Sequence, residues 1–267
     1  MNPPPIQGVL LGHIHHAVYG WLTPAVSYAV ACIGSLLALR STRWALLTRG
    51  RTKRNWLTFA SFSLGLGIWS MHFIAMLGFT VSGVEIRYDV PLTALSLLVA
   101  VAVVGAGIFT IGYSRRPLGA VLVGGVFTGL GVAAMHYLGM AAMRLPGSLS
   151  YTPVTVGASV AIAVLAATAA LWAALNIQGT LAVAGAAPVM GVAVCAMHYT
   201  GMAAVSVHLD PGEGSAASGM VALEFIFPLA VGLGTYVFAS ALAFAVAPSK
   251  TARRPPVLTG RAAPLRR

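Results

Sequence analysis

The chain has 267 residues, of which 58% are hydrophobic and only 8% are charged, and its mean hydropathy is +0.87. A soluble domain carries about 25% charged residues, so this composition excludes a domain folded around a water-solvated core. The formal net charge of +11 does not indicate nucleic-acid binding, because no interleaved aromatic residues accompany the basic ones.

Seven stretches are long and apolar enough to cross a bilayer as helices, which takes about 20 residues each. The uncharged run 145–209 holds two of them, separated by polar residues and a glycine at Asn176–Gly179. Pro91 and Pro153 lie near the first turns of the third and fifth helices, where proline is favoured. We therefore predict an all-α membrane fold with seven transmembrane helices. The predicted spans are 18–39, 56–78, 91–111, 118–140, 154–175, 181–203 and 221–246.

The basic residues concentrate on one side of these helices, which the positive-inside rule places in the cytoplasm. Fourteen of the sixteen lie between helices 1 and 2, between helices 3 and 4, or after helix 7: Arg40, Arg43, Arg49, Arg51, Lys53, Arg54, Arg115, Arg116, Lys250, Arg253, Arg254, Arg261, Arg266 and Arg267. Arg87, Arg144 and all five acidic residues fall on or near the other side. We predict a multi-pass protein of the plasma membrane, with the N-terminus outside and the C-terminus inside.

One short pattern occurs three times, near the ends of helices 2, 4 and 6. The copies are Met71–Met76, Met135–Met140 and Met197–Met202, and they read MHFIAM, MHYLGM and MHYTGM. In each copy a Met follows the His four residues later, and positions i and i+4 share one face of a helix. Imidazole and thioether form a soft ligand set that suits copper, especially Cu(I). Because the three helices run in the same direction, all three motifs are predicted at the outer membrane face.

The motifs supply nine candidate metal ligands: His72, His136, His198, Met76, Met140, Met202, Met71, Met135 and Met197. Ionisable residues are rare inside a membrane and usually functional, so three histidines at equal depth indicate one shared site. The alternative for the methionines is that they fill the core. Cys195, three residues before His198, is a weaker candidate because the other copies have Trp69 and Ala133 there.

The repeat extends beyond the motif. A glycine precedes each His by seven residues, on the same helix face, where a small residue lets helices approach closely. These glycines are Gly65, Gly129 and Gly191. An aromatic residue follows each His and belongs either to the interfacial belt or to the site. The aromatic residues are Phe73, Tyr137 and Tyr199. We interpret helices 2 to 7 as three two-helix repeats of 62–64 residues, to which an N-terminal helix is added.

These residues make the chain resemble the MHYT family, a bacterial seven-helix integral membrane module whose signature is Met197-His198-Tyr199-Thr200 here. The resemblance covers residues 13–246 and implies a copper site built from the nine candidates, together with sensing of O2, CO or NO. Two departures make other positions weaker ligands: Phe73 replaces the Tyr of the signature, and its Thr survives only as Thr200. Family members are often fused to cyclic-dinucleotide enzymes or histidine kinase modules. Residues 247–267 form a basic cytoplasmic tail, which we expect to be disordered.

The first functional hypothesis is a membrane sensor that binds copper and responds to a diatomic gas or to redox state. Its partners would be the lipid bilayer, the gas and a separate signalling protein, but no nucleic acid. A transporter of copper or another solute is the second hypothesis, although the inner halves of the helices are mostly Ala, Val, Leu and Gly. A haem protein with His/Met or His/His ligation is the third. No nucleophile–base set, phosphate loop or carboxylate pair stands out, so we expect no enzymatic activity.

Overall fold

The computed structural model describes residues 19–209 throughout, the segments Leu10–Leu11, Ile14–His15 and 219–221, and single helical positions between 224 and 240. The chain divides into two compact units, Met1–Leu229 and Ala230–Arg267. Within the second unit, the Ser240 hydroxyl donates to the carbonyl oxygen of Tyr236 at 2.6 Å. Most of the seventh predicted helix, 221–246, and the tail 247–267 lie outside the described residues, so a count of seven helices stays a prediction.

Six long helices make up most of the first unit. They are α1 (Leu22–Leu46), α2 (Gly50–Met76), α3 (Val90–Tyr113), α4 (Pro117–Ala141), α5 (Pro153–Asn176) and α6 (Thr180–Ala203). All six are long and apolar enough to cross a membrane, and they correspond to the first six predicted spans. The three motifs lie in the last turns of α2, α4 and α6.

The basic segment Arg40–Arg54, which was expected to form a loop between helices 1 and 2, is mostly helical. The first helix continues to Leu46 and the second begins at Gly50, so three residues connect them. Trp44, which lies beyond the first predicted span, stacks on Trp56 across this connection with ring centroids 6.0 Å apart. The loop prediction was wrong because an apolar run reports only the part of a helix that lies in hydrocarbon, while the helix itself can continue beyond it.

Local sequence signals set the other helix ends. The Asp89 side chain caps α3, where its Oδ1 atom accepts a hydrogen bond from the Leu92 amide at 3.0 Å. Pro91 is the second residue of α3 and Pro153 the first residue of α5, so both lie in first turns, as predicted. Between α5 and α6 the chain turns at Gly179, whose φ of +89° favours glycine. The predicted break at Asn176–Gly179 is therefore confirmed.

The six helices form a ring. Each helix packs against the next one in sequence, and α6 returns to pack against α1. The motif helices α2, α4 and α6 therefore alternate with α1, α3 and α5, which we call the outer helices, and α2 also contacts α4 and α6. The sequence interpretation treated helix 1 as an addition to three two-helix repeats. In the described residues α1 packs between α6 and α2.

The repeated glycines Gly65, Gly129 and Gly191 mark where each motif helix meets an outer helix. A Cβ atom on the first would lie 2.8 Å from the Val101 Cα of α3, and one on the second would overlap the Val164 backbone of α5. On the third, it would lie 2.6 Å from the Cys32 Sγ of α1. Close helix approach at these glycines is thus confirmed, and α1 is the equivalent of α3 and α5.

Short antiparallel strands lie where the motif helices end, which we call the motif end; the opposite end is the basic end. They are β1 (Leu10–Leu11), β2 (Ile14–His15), β3 (Thr80–Val81), β4 (Arg87–Tyr88), β5 (Met143–Arg144), β6 (Gly147–Tyr151), β7 (Val205–Leu209) and β8 (Met220–Val221). The strand before each outer helix pairs with the strand after a motif helix, in the pairs β2–β3, β4–β5 and β6–β7. In addition, β1 pairs with β7 and β8 with β4. No sequence pattern had predicted these strands.

Candidate metal centre

The three motif histidines meet at the centre of the ring. The Nδ1 atom of His72 lies 3.0 Å from that of His198 and 3.1 Å from that of His136, and the third side of the triangle measures 3.4 Å. The side chains are 0–1% exposed. Convergence of the three histidines is therefore confirmed, whereas metal binding by them stays a prediction.

The aromatic residue after each histidine packs against the imidazole ring at a steep angle. Ring centroids are 4.8 Å apart for His72 and Phe73, and the planes meet at 83°. The other two copies repeat this contact at 4.8 and 5.0 Å. Such edge-to-face contacts are favourable and restrict ring rotation. These aromatic residues thus contact the histidines of the site. Of the two sequence interpretations, the interfacial belt and the site, this contact favours the site.

In α4 and α6, the residue three positions after the histidine must be small, because a histidine of another motif helix packs against it. A Cβ atom on Gly139 of α4 would lie 2.5 Å from the Nε2 atom of His72 in α2. In the same way, a Cβ on Gly201 of α6 would overlap the Nε2 atom of His136 in α4. Each glycine therefore lets an imidazole from the preceding motif helix fit against its own helix.

Two of the buried Nε2 atoms, those of His72 and His136, have no hydrogen-bond partner among the described residues. A neutral imidazole whose Nδ1 atom carries the lone pair has its proton on Nε2, and burying that donor unpaired costs about 1–3 kcal/mol. Buried polar atoms without a partner are uncommon in native proteins and call for an explanation, such as a bound ion or a catalytic role. The unpaired Nε2 atoms of the site thus lower the stability of the folded protein.

The Nδ1 triangle cannot satisfy its own contacts. Each Nδ1 atom carries either one proton or one lone pair, so among three mutually close atoms at least one contact joins two lone pairs or two N–H groups. A cation shared by three lone pairs removes that conflict. This donor set therefore fits a metal ion better than it fits a network of hydrogen bonds.

The size of the triangle also fits a metal ion. The centre of a triangle lies at its side length divided by √3 from each corner, which gives about 1.8 Å here, close to metal–imidazole bonds of about 2.0 Å. The three histidines offer ligand atoms that all lie within 4.8 Å of one another. Cys195 is not part of this group among the described residues.

The six motif methionines are all in the core. They are 0–3% exposed: Met71, Met76, Met135, Met140, Met197 and Met202. Methionine packs irregular cores well, so burial alone does not separate a ligand from a core residue. Met76, Met140 and Met202 lie one helical turn beyond the histidines toward the motif end. Their role as ligands stays a prediction.

Sequence reasoning missed a set of serines on the outer helices that support the site. The Ser96 hydroxyl accepts a hydrogen bond from the Trp69 indole at 2.9 Å, and Ser159 bonds the Tyr137 hydroxyl at 2.6 Å. The third equivalent, Ser27 of α1, is also fully buried. A proline precedes each of these serines by three to six residues, and the repeated order of proline and then serine near the start of an outer helix could have revealed them.

The motif end carries the two ion pairs found among the described residues. Asp89 pairs with Arg144 at 2.7 Å, and Glu85 pairs with Arg87 at 3.0 Å. The Arg144 guanidinium, followed by the Leu92 amide, lowers the pKa of the Asp89 carboxyl. Because Asp89 caps α3 while Arg144 lies on β5, this pair joins the start of α3 to the strand that follows α4.

A sequence profile called MHYT, described as a bacterial signalling protein N-terminal repeat, matches the chain at residues 65–124, 129–187 and 191–260. Among curated proteins, the chain is 38% identical over 245 residues to the bifunctional diguanylate cyclase/cyclic di-GMP phosphodiesterase MucR of Pseudomonas aeruginosa, covering 90% of this chain and 36% of MucR. It is 36% identical over 217 residues to the cyclic di-GMP phosphodiesterase NbdA of the same organism, with coverages of 78% and 27%.

The chain is also 31% identical over 210 residues to the signaling protein YkoW of Bacillus subtilis, covering 73% of this chain and 25% of YkoW. It thus spans between a quarter and somewhat over a third of these relatives. No solved structure matches it significantly. Six apolar helices and the family profile identify a multi-pass membrane protein. Since the three profile matches cover more than half of its residues, the chain belongs to the MHYT family of bacterial signalling proteins.

Proposed function

We propose that this chain is the membrane-embedded sensor of a signalling system, that His72, His136 and His198 bind one copper ion near the outer membrane face, and that O2, CO, NO or redox state is the signal. The observation that carries the proposal is the buried triangle of Nδ1 atoms with sides of 3.0–3.4 Å. Three neutral imidazoles in an apolar core suit Cu(I), and the nearby thioethers add soft ligands.

The two alternatives fit this geometry less well. A haem needs its axial ligands on opposite faces of a planar macrocycle, and three nitrogens within 3.4 Å of one another leave no space for it. A transport path for a metal ion would need polar groups toward the basic end. The cavity on that side of the histidines is lined by apolar side chains apart from Thr128 and the Trp172 indole.

The chain's own residues define what the site does. Three imidazoles hold the ion, aromatic rings fix the imidazole orientation, and the glycines of α4 and α6 admit the rings. Bound copper would supply a redox-active centre able to bind a diatomic gas. The short strands cover the motif end and keep water away, since the histidines are 0–1% exposed.

The output of the sensor would be read at the basic end by another domain or protein. Each motif helix carries one histidine of the site near its last turn and begins at the basic end. A change in the distances between the histidines would therefore move three helices together at the basic end. MucR and NbdA are cyclic di-GMP enzymes by name, and this chain aligns with a minor part of each. We propose a cyclic di-GMP enzyme as the partner, with no catalysis by the chain itself.

Metal analysis of the purified protein tests the proposal. We expect one copper ion per chain in the unsubstituted protein and none in the triple variant His72→Ala, His136→Ala, His198→Ala. His208→Ala is the matched control, because this histidine lies on β7 and bonds Ser150 rather than the triangle. Copper that persists in the triple variant would rule out the site. An infrared CO band on the Cu(I) form, absent from the triple variant, would support the gas signal.

A further inference from the structure

An apolar cavity of about 300 Å³ lies inside the ring on the basic-end side of the histidines. Its walls come from α2, α3, α4, α5 and α6. Apart from the Trp172 indole, the polar side chain in the wall is Thr128, whose hydroxyl donates to the Val103 carbonyl oxygen at 3.2 Å. The cavity therefore offers almost nothing to a polar guest, and apolar cavities of this kind bind apolar molecules.

One end of the cavity is lined by equivalent positions of all three motif helices, close to the histidines. Its lining includes Ile68, Val132 and Val194, and each of these residues precedes a site histidine by four positions. Four residues of α-helix correspond to about 6 Å along the axis. The end of the cavity thus lies one helical turn from the three imidazoles.

The other end of the cavity opens sideways between α5 and α6. Two of its lining residues, Trp172 and Val189, are 53% and 69% exposed. The α5 wall is built largely of alanines, and α5 and α6 are the least buried of the six helices. Pro188, next to Val189, removes one backbone hydrogen bond from α6 at this point. Among the residues that the structure describes, none covers this opening, so on that part of the chain it would face hydrocarbon in a membrane.

The opposite side of the site is closed. Where the motif helices end, the buried side chains of Phe79, Tyr88 and Val207 belong to the same core as the motif methionines. A charged or strongly hydrated molecule would lose its hydration shell in either direction, at a cost of several kcal/mol or more. An uncharged apolar molecule that enters from the lipid meets no such penalty.

We propose that this cavity is a lateral port through which an uncharged diatomic gas dissolved in the bilayer reaches the three histidines. That the molecule is a diatomic gas rests on the proposed function. It adds the direction of approach, which is from the lipid between α5 and α6 rather than from water at the motif end.

Xenon binding tests the port without metal and without signalling. We expect metal-free protein in lipid nanodiscs to show a saturable shift in the 129Xe NMR signal, which is lost in Ala167→Phe and Ala170→Phe because a phenyl ring fills the cavity. Ala161→Phe is the matched control, on the exposed face of α5 and outside the cavity wall. If a core variant does not fold, Val189→Trp narrows the opening from the exposed side and should slow xenon exchange.

Xenon that binds equally to the filled variants, or no saturable site in the unsubstituted protein, would overturn the port. The second measurement is the rate of CO binding to the Cu(I)-loaded protein, which we expect to fall at least tenfold in Ala170→Phe and to stay unchanged in Ala161→Phe. An unchanged rate in Ala170→Phe would show another entrance and also overturn the port. Failure of the protein to hold copper would instead refute the proposed function, and the xenon result would still decide the port.

Discussion

His136 combines features that a purely structural residue would not retain. It is fully buried, its Nδ1 atom faces two other imidazoles, and its Nε2 atom has no partner among the described residues. An apolar side chain of similar volume would avoid both the conflicting Nδ1 contacts and the unpaired Nε2 atom. Natural proteins keep such groups where function requires them, at a cost in stability.

Replacing this histidine should therefore stabilise the metal-free protein. We expect His136→Leu to raise the free energy of unfolding of the metal-free form by about 1–3 kcal/mol, since an unpaired buried donor is removed. Copper should no longer raise the melting temperature of this variant. Met140→Leu is the control: it conserves volume, changes stability by less than about 1.5 kcal/mol and leaves copper stabilisation largely intact. Thermal melts in detergent with and without Cu(I) measure both effects, and a destabilised metal-free His136→Leu would contradict the account.

The Asp89–Arg144 pair predicts a pH dependence at the motif end. The pKa of Asp89 is lowered in the folded state by Arg144 and by the Leu92 amide. Its stabilising effect is therefore complete above the ordinary Asp pKa of about 3.9 and is lost as the pH falls through the lower folded pKa. Asp89→Asn should lower the melting temperature at pH 7, and the difference should shrink as the pH falls below about 3.9.

Glu85→Gln serves as the control for this measurement. Glu85 forms the more exposed ion pair, with Arg87, and surface pairs of this kind contribute little. Its melting temperature should follow that of the unsubstituted protein across the same pH range. A difference between Asp89→Asn and the unsubstituted protein that stays constant with pH would mean that the charge of Asp89 does not stabilise the fold.

The contacts between motif and outer helices depend on glycine at one position per pair. At Gly129 a side chain would overlap the Val164 backbone, which cannot move aside as a flexible side chain could. We expect Gly129→Ala to destabilise the protein by about 1–3 kcal/mol through overpacking between α4 and α5. Gly157→Ala on α5 is the control, because nothing lies within 4 Å of its added Cβ atom. Equal stability of the two variants in denaturant titrations would contradict close packing at Gly129.

The sequence predicted the elements that follow from local chemistry. Long apolar runs predicted seven helices, of which the described residues contain six; proline positions predicted the starts of two, and the polar stretch before Gly179 predicted a turn. The strands escaped prediction because most are two residues long and exist only through pairing with distant segments. Equal depth of three motifs predicted that the histidines converge. Which nitrogen faces inward depends on contacts with Phe73 and Gly139, which no local pattern reveals.

At the scale of the whole molecule, three similar units surround one site. In the described residues each unit consists of a strand, an outer helix, a motif helix and a second strand, and α1 belongs to the first unit rather than being an addition. The sequence suggested a different grouping because the recognisable part of the repeat, which starts at the glycine seven residues before each His, begins inside α2, α4 and α6. A repeat in sequence does not specify which neighbouring segment closes the ring.

Charge separates the two ends of the molecule. Arg51, Lys53 and Arg54 lie in the first turns of α2, while its motif lies in the last turns. We expect reporter fusions after Arg116 to be cytoplasmic and fusions after Gly147 to be external, because basic residues are retained inside. Alkaline phosphatase activity distinguishes the two locations. The reverse pattern would place the metal centre at the inner face.

X-ray absorption at the copper edge of the Cu(I)-loaded protein tests the central claim most directly. The account predicts three nitrogen ligands at about 2.0 Å with the outer-shell scattering of imidazole, from one copper ion per chain. Weaker sulfur scattering from a motif methionine would be compatible with this, since thioethers lie one turn away. A spectrum dominated by sulfur, or one that is unchanged in the triple histidine variant, would contradict the three-histidine copper site.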